Sequence, residues 1–296
     1  MSTAMRITRW RRAAQLLSLL FYLALPFAGA TCVSGTLVAL KVGPVDLLEP
    51  AAALSAALAG RTVGWTLLLG VAPVVLLAVL LGPVTCSWVC PFGLLSEAVD
   101  HLRGRHLRGR RLRGRRIRGR LRWTGRPWVI ARRWRIVSLA VLAGGSAALA
   151  LPLAAILSPP RLTSALPLEA RVTAGVPVVT TVLLLAALAV DLLAPRRLLC
   201  RALCPAGGVA ALLRTPITIG PAFDRSRCRC QEDAPCLQVC PWGVDPREMR
   251  LQDGCTTCLA CVEGCPSGAL TVGRACGRRA SASRGRCASS LPQLAR

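Results

Sequence analysis

Histidine and lysine are nearly missing from this 296-residue sequence, which holds two histidines and a single lysine, Lys41. His101 and His106 both sit in an arginine tract, so no apolar segment can offer axial ligands to a b-type haem. No C-x-x-C-H run occurs, which removes covalently attached c-type haem. A G-x-G-x-x-G fingerprint and a Walker loop are absent too, so neither a nucleotide nor a Rossmann-bound flavin is indicated. Acidic residues are scarce, 13 against 38 basic ones, giving a net charge of +25 that is almost wholly arginine. With 53% hydrophobic residues, disorder is excluded for most of the chain.

Apolar sequence is plentiful. Four runs carry no charged residue: Ala13 to Leu40, Gly64 to Val84, Ile136 to Pro160 and Val172 to Val190. A helix needs about 20 apolar residues to cross the roughly 30 Å core of a bilayer, so these runs predict four transmembrane helices. Pro26, Pro73 and Pro152 then read as kinks. Arg6, Arg9, Arg11 and Arg12 precede the first run and fifteen arginines lie from Arg103 to Arg135, so the sequence predicts a multi-pass protein of the cytoplasmic (inner) membrane with both termini cytoplasmic. A signal peptide competes for Arg9 to Cys32, and Cys32 for a lipoprotein acceptor; the three later runs and Thr31 before the cysteine favour a retained first helix.

The expected organisation is a basic N-terminus over 1–12, a four-helix membrane domain over 13–215 built as two repeated hairpins, a small α+β double-cluster ferredoxin-like domain over 216–272, and a disordered basic tail over 273–296. Within the membrane domain, residues 101–135 form an Arg/Gly-rich cytoplasmic loop whose repeated Leu or Ile, Arg, Gly, Arg pattern disfavours a stable helix. Membrane lipid headgroups are its expected partner, in preference to nucleic acid, since position between two spans already accounts for the charge.

The chemistry lies in fifteen cysteines. Cys255, Cys258, Cys261 and Cys265, followed by Pro266, give C-x2-C-x2-C-x3-C-P, the run of a 4Fe-4S ferredoxin. Zinc sites favour two separated C-x2-C pairs and have no use for the interleaved fourth cysteine. Upstream, Cys228, Cys230, Cys236, Cys240 and Pro241 end in the same C-x3-C-P, with an insertion between Cys230 and Cys236. In two-cluster ferredoxins each run's fourth cysteine serves the other cube. Cluster one is therefore expected on Cys255, Cys258, Cys261 and Cys240, and cluster two on Cys228, Cys230, Cys236 and Cys265.

A second cysteine type stands at the expected exits of spans two and four. CSWVCPFG places Cys86 and Cys90 before Pro91, and CRALCPAG places Cys200 and Cys204 before Pro205. Duplication of both spacing and proline marks an internal repeat and favours a redox role over packing. If the prolines open helices, Cys90 and Cys204 lie at helix N-termini, where thiolate is favoured. The sequence does not decide whether these four hold a further cluster or act as redox-active pairs.

Four apolar runs, the two exit motifs and a double ferredoxin region together resemble the NapH/MauN family of ferredoxin-type membrane proteins; the exit motifs are also similar to those of NosR-type and CcoG-type proteins. The NapH resemblance implies a quinol dehydrogenase component that draws on the quinone pool and passes electrons to iron-sulfur or cytochrome subunits of a redox complex. The MauN and CcoG resemblances imply instead a maturation factor that reduces thiols or metal ions. In either case no general acid, base or substrate pocket is legible, so the expectation is an electron-transfer subunit and not a stand-alone enzyme.

Overall fold

The computed structural model describes residues 6–27, 33–99, 132–193, 197–230, 234–249 and 251–274. Cys32, His101, His106 and most of the arginine loop and tail lie outside the described residues.

Helix α1 (Arg6–Ala24) opens the chain, and three short strands follow, β1 (Val33–Gly35), β2 (Ala39–Val42) and β3 (Val45–Leu48), forming an antiparallel sheet in chain order. Gly43 and Pro44 make the tight connection that sets Val42 opposite Val45. Helix α2 (Pro50–Gly60) starts under Glu49, whose carboxylate accepts from the N–H groups of Ala51 and Ala52. Helices α3 (Trp65–Leu81), α4 (Val84–Trp88) and α5 (91–99) complete the first half. The second half has α6 (Arg132–Leu149), α7 (Leu153–Ile156), α8 (Pro159–Thr173), α9 (Val178–Leu193), a π-helical turn (Leu199–Leu203) and α10 (Pro205–Leu212). The last segment pairs β4 (Ile219–Phe223) with β5 (Leu270–Arg274), and between them lie the one-turn helices α11 (Pro235–Gln238) and α12 (Ala260–Glu263).

The four-span membrane fold is overturned. Among the described residues no helix is long and apolar enough to cross a membrane. The apolar runs and the helices do not coincide. The first run leaves the helix at Ala24 and enters the three-stranded sheet. In the second, α3 has 17 residues, a length of about 26 Å at 1.5 Å per residue. The third begins inside α6, which carries arginines at 132, 133 and 135 in its first turn, and it breaks at Ala150, which takes a left-handed conformation with φ 52° two residues before Pro152. The fourth straddles a second left-handed residue, Ala174, so α9 starts only at Val178. Hydropathy summed along a window does not register such single-residue breaks.

The helical core gathers Cys90, Phe92, Leu162, Leu184 and Ala187, with α8 packed on α9 and on α1. Asp191, at the end of the fourth apolar run, is buried there: it accepts from Ser96 Oγ at 2.7 Å and from the N–H of Leu199 at 3.3 Å, tying α5 to the π turn. Glu97 likewise holds Arg11, Arg12 and Arg197. Both acids anchor the two exit motifs against each other.

Candidate iron-sulfur centres

The cysteine-rich segment is clamped onto the helices by contacts to its backbone. Ser87 Oγ donates to the carbonyl of Thr256 at 2.7 Å and Trp88 Nε1 to that of Thr257 at 3.3 Å. Arg135, 1% exposed, donates to the carbonyls of Arg201 at 2.9 Å, of Asp253 at 3.2 Å and of Gln252. Gly254 beneath it has φ 83°, and a Cβ there would stand 2.3 Å from the Arg135 guanidinium, so only glycine fits. Thr257 and Leu259 also take positive φ, which lets the chain coil tightly through Cys255, Cys258 and Cys261.

Cys255, Cys258 and Cys261 line one cavity, and Cys240 joins them from the upstream run. Cys228, Cys230 and Cys236 line a second, and Cys265 joins them from the downstream run. The structure thus exchanges the fourth cysteines between the two runs. Burial and the neighbouring cysteines push Cys258 up to about 12 and Cys261 upward also. Cys265 is more open. Its partial burial acts upward, but Ser267 Oγ and the backbone N–H groups of Leu270, Ala269 and Ser267 outweigh that and lower it. Burial raises Cys240, although backbone N–H groups of Val244, Trp242 and Gly243 lie against its sulfur and act downward.

Donors without acceptors complete the first site. Trp242 Nε1 and Thr256 Oγ1 are buried with no hydrogen-bond partner, and both residues line the cavity that Cys240, Cys255, Cys258 and Cys261 surround. Nε and Nη2 of Arg214 are buried and unpartnered as well, while its Nη1 donates to the Cys255 carbonyl at 3.2 Å. Four thiols, orphaned donors and a buried guanidinium fit a sulfide-bearing group of net negative charge. Among the described residues no three His, Cys, Asp or Glu side chains come close enough together to hold a single metal ion, so the thiols ring a space instead of meeting at a point.

Cys86, Cys90, Cys200 and Cys204 come together as well. They line one cavity with Arg135, Arg201, Trp242 and Thr256, so this third space abuts the first. The two motifs fold alike, and Pro205 opens α10 with Cys204 as its N-cap, as Pro91 opens α5 after Cys90. Burial pushes Cys90 up to about 11 and Cys204 to about 12, against the N–H groups of Gly93, Phe92, Gly207 and Ala206. The helix N-terminus therefore does not make thiolates of the free side chains; desolvation wins. Trp242, Thr256, Arg135, Arg214 and the acids Glu97 and Asp191 escape motif reading. The tryptophan directly after Cys240 and Pro241, and Asp191 ending an apolar run, were the signals available.

Comparison with known proteins agrees with this chemistry. The 4Fe-4S binding domain family matches residues 63–110, which include Cys86 and Cys90. A ferredoxin of Methanothermococcus thermolithotrophicus is 37% identical over 55 residues, which cover 92% of that protein and 17% of this chain. The ferredoxin-type protein NapH of Escherichia coli K12 is 26% identical over 287 residues, 90% of each chain. The methylamine utilization ferredoxin-type protein MauN of Methylorubrum extorquens is 30% identical over 104 residues, 33% of this chain and 36% of MauN. No solved structure gives a significant match. Cavities ringed by cysteines and a ferredoxin match define an iron-sulfur protein of the ferredoxin class. Within that class, the chain is similar to the ferredoxin-type proteins NapH and MauN.

Proposed function

We propose that the chain is an electron-transfer subunit that takes electrons from quinol and passes them to a partner redox protein through two 4Fe-4S cubes. Cys240, Cys255, Cys258 and Cys261 would hold one, and Cys228, Cys230, Cys236 and Cys265 the other. The observation that carries this reading is the exchange of Cys240 and Cys265 between the two cysteine cavities, the arrangement of a two-cluster ferredoxin. When bound, each cube supplies a one-electron redox centre. The chain's own residues bury it, donate hydrogen bonds to its sulfurs from the backbone beside Cys240 and Cys265, and set positive charge near it through Arg214 and Arg135.

Quinol as donor rests on the NapH relationship over 90% of the chain. On this reading the protein works at a membrane surface. The exposed apolar side chains of α1 and α3, among them Leu17, Leu20, Trp65, Leu69 and Leu76, are the surface offered to lipid. Paramagnetic resonance during stepwise reduction of the anaerobically purified protein tests the reading. Two interacting 4Fe-4S signals that appear on adding a short-chain quinol support it; clusters that form but stay oxidised under quinol overturn the quinol step, and absence of clusters overturns the whole.

A further inference from the structure

Four cysteines outside the ferredoxin runs face one another. Cys86 and Cys90 come from the first half of the chain and Cys200 and Cys204 from the second, and all four line a single buried cavity. All four are free thiols, so neither motif closes a disulfide on itself. The two halves reach the cavity by the same backbone path. The carbonyls of Cys86 and Cys200 each lie 3.1 Å from where a Cβ would stand on the motif's own glycine, Gly93 and Gly207. A duplicated turn that delivers two sulfurs from each copy to a shared space builds a pseudo-symmetric four-sulfur site.

The rest of the wall is that of an anion site. Arg135 and Arg201 line the cavity, 1% and 4% exposed. Arg135 places its hydrogen-bond donors on backbone carbonyl oxygens, with the Asp253 carboxylate acting on its charge from nearby. Trp242 and Thr256, 3% and 5% exposed, face the same space with Nε1 and Oγ1 unpartnered. The orphaned donors of Trp242 and Thr256 are costly to leave buried without an acceptor, whereas simple apolar packing of four cysteines has no use for them. A single metal ion does not fit, since no three such ligands meet closely among the described residues.

We propose that Cys86, Cys90, Cys200 and Cys204 together ligate a third 4Fe-4S cube, shared between the two halves of the chain and separated from the cube on Cys240 and Cys255 by Trp242 and Thr256. Each thiol loses its proton on becoming a ligand, and the iron of the cube supplies the positive charge that lets four buried thiolates coexist. The 4Fe-4S family match reaches only Cys86 and Cys90, two of the four corners; the cavity supplies the others. This site goes beyond the quinol reading and stands without it.

Iron and acid-labile sulfide in the anaerobically purified full chain test the proposal directly. Three cubes give about twelve of each per chain and two give about eight. The C86A/C90A/C200A/C204A variant is expected to lose one third of both while keeping the two ferredoxin resonance signals. Should that variant fail to accumulate, Cys86→Ser in the folded protein is expected to alter one signal of three and leave two at parental position. A count unchanged by the fourfold substitution, or a Cys86–Cys90 or Cys200–Cys204 disulfide in anaerobic protein, would overturn it whatever the number of ferredoxin cubes.

Discussion

Cys90 and Cys204 occupy the same place in two copies of one turn. The N–H of Cys90 donates to the carbonyl of Thr85 and that of Cys204 to the carbonyl of Leu199, both at 2.8 Å and both five residues back. A proline then opens a helix at the next residue in each copy. This widened turn ends the preceding helix and presents two sulfurs on its inner side, while the helix that follows points its N–H groups back at the second sulfur. The repeat seen in the sequence is therefore a repeat of backbone geometry.

That equivalence predicts matched effects at the motif glycines. Gly93→Ala and Gly207→Ala each push a methyl group to 3.1 Å from a carbonyl oxygen, that of Cys86 or of Cys200. Each is expected to destabilise the protein by about 1 to 3 kcal/mol, the usual range for overpacking. Anaerobic urea unfolding of both variants checks this, with similar shifts in midpoint expected.

Glu97 makes stability depend on acid pH. Burial acts to raise its pKa, but the hydrogen bond from Arg12 and the charges of Arg11, Arg12 and Arg197 outweigh burial and hold it below the ordinary value of 4.5. A carboxyl lowered on folding stabilises the native state above its unfolded pKa, and that contribution is lost as pH falls through the folded one. Glu97→Gln is expected to cost about 3 kcal/mol at pH 7, because Arg11 is then left buried without its carboxylate. The gap between variant and parent should close as pH drops below about 4.5, which unfolding curves at several pH values will show.

The C-x2-C-x2-C loop and each C-x3-C-P turn are legible in the sequence because ligand spacing is local chemistry, set by a few dihedral angles. The helix boundaries inside the apolar runs are not legible, because hydropathy along a run does not register a change of backbone conformation within it. Left-handed Ala150 and Ala174 end helices inside apolar runs where Pro152, Gly175 and Pro177 are the only marks, and the Gly43 and Pro44 hairpin sits just past the first run, between two short strands. The duplicated motif already implies that Cys86 and Cys90 meet Cys200 and Cys204, but the wall of Arg135, Trp242 and Thr256 around them depends on long-range packing that no local pattern encodes.

Exchange of the fourth cysteines predicts which signals change together. Cys240→Ser should perturb the same cube as Cys258→Ser, although eighteen residues separate them, since both line one cavity. Cys265→Ser should instead perturb the cube that Cys236→Ser perturbs, although it is only four residues from Cys261. Resonance spectra of the four reduced variants sort them into two pairs. Grouping by nearness in sequence would refute the exchange.

Arg214 is expected to raise the potential of the cube proposed on Cys240, Cys255, Cys258 and Cys261. The side chain is 2% exposed, donates from Nη1 to the Cys255 carbonyl at 3.2 Å, and has Nε and Nη2 without a partner, so its charge acts through poorly screened surroundings. Reduction adds a negative charge to the cube, and a fixed positive charge close by favours the reduced form. Arg214→Met keeps length and apolar packing while removing the charge. It should lower the midpoint potential of this one cube by on the order of 50 mV, since 59 mV corresponds to a tenfold change in a one-electron equilibrium. The cube on Cys228, Cys230, Cys236 and Cys265 should move much less, because Arg214 is bonded at Cys255, a ligand of the other cube. A redox titration followed by resonance, with iron content measured alongside, separates tuning from damage. Full iron with one potential lowered is the expected result, and full iron with both potentials unmoved would show that the charge of Arg214 is answered elsewhere.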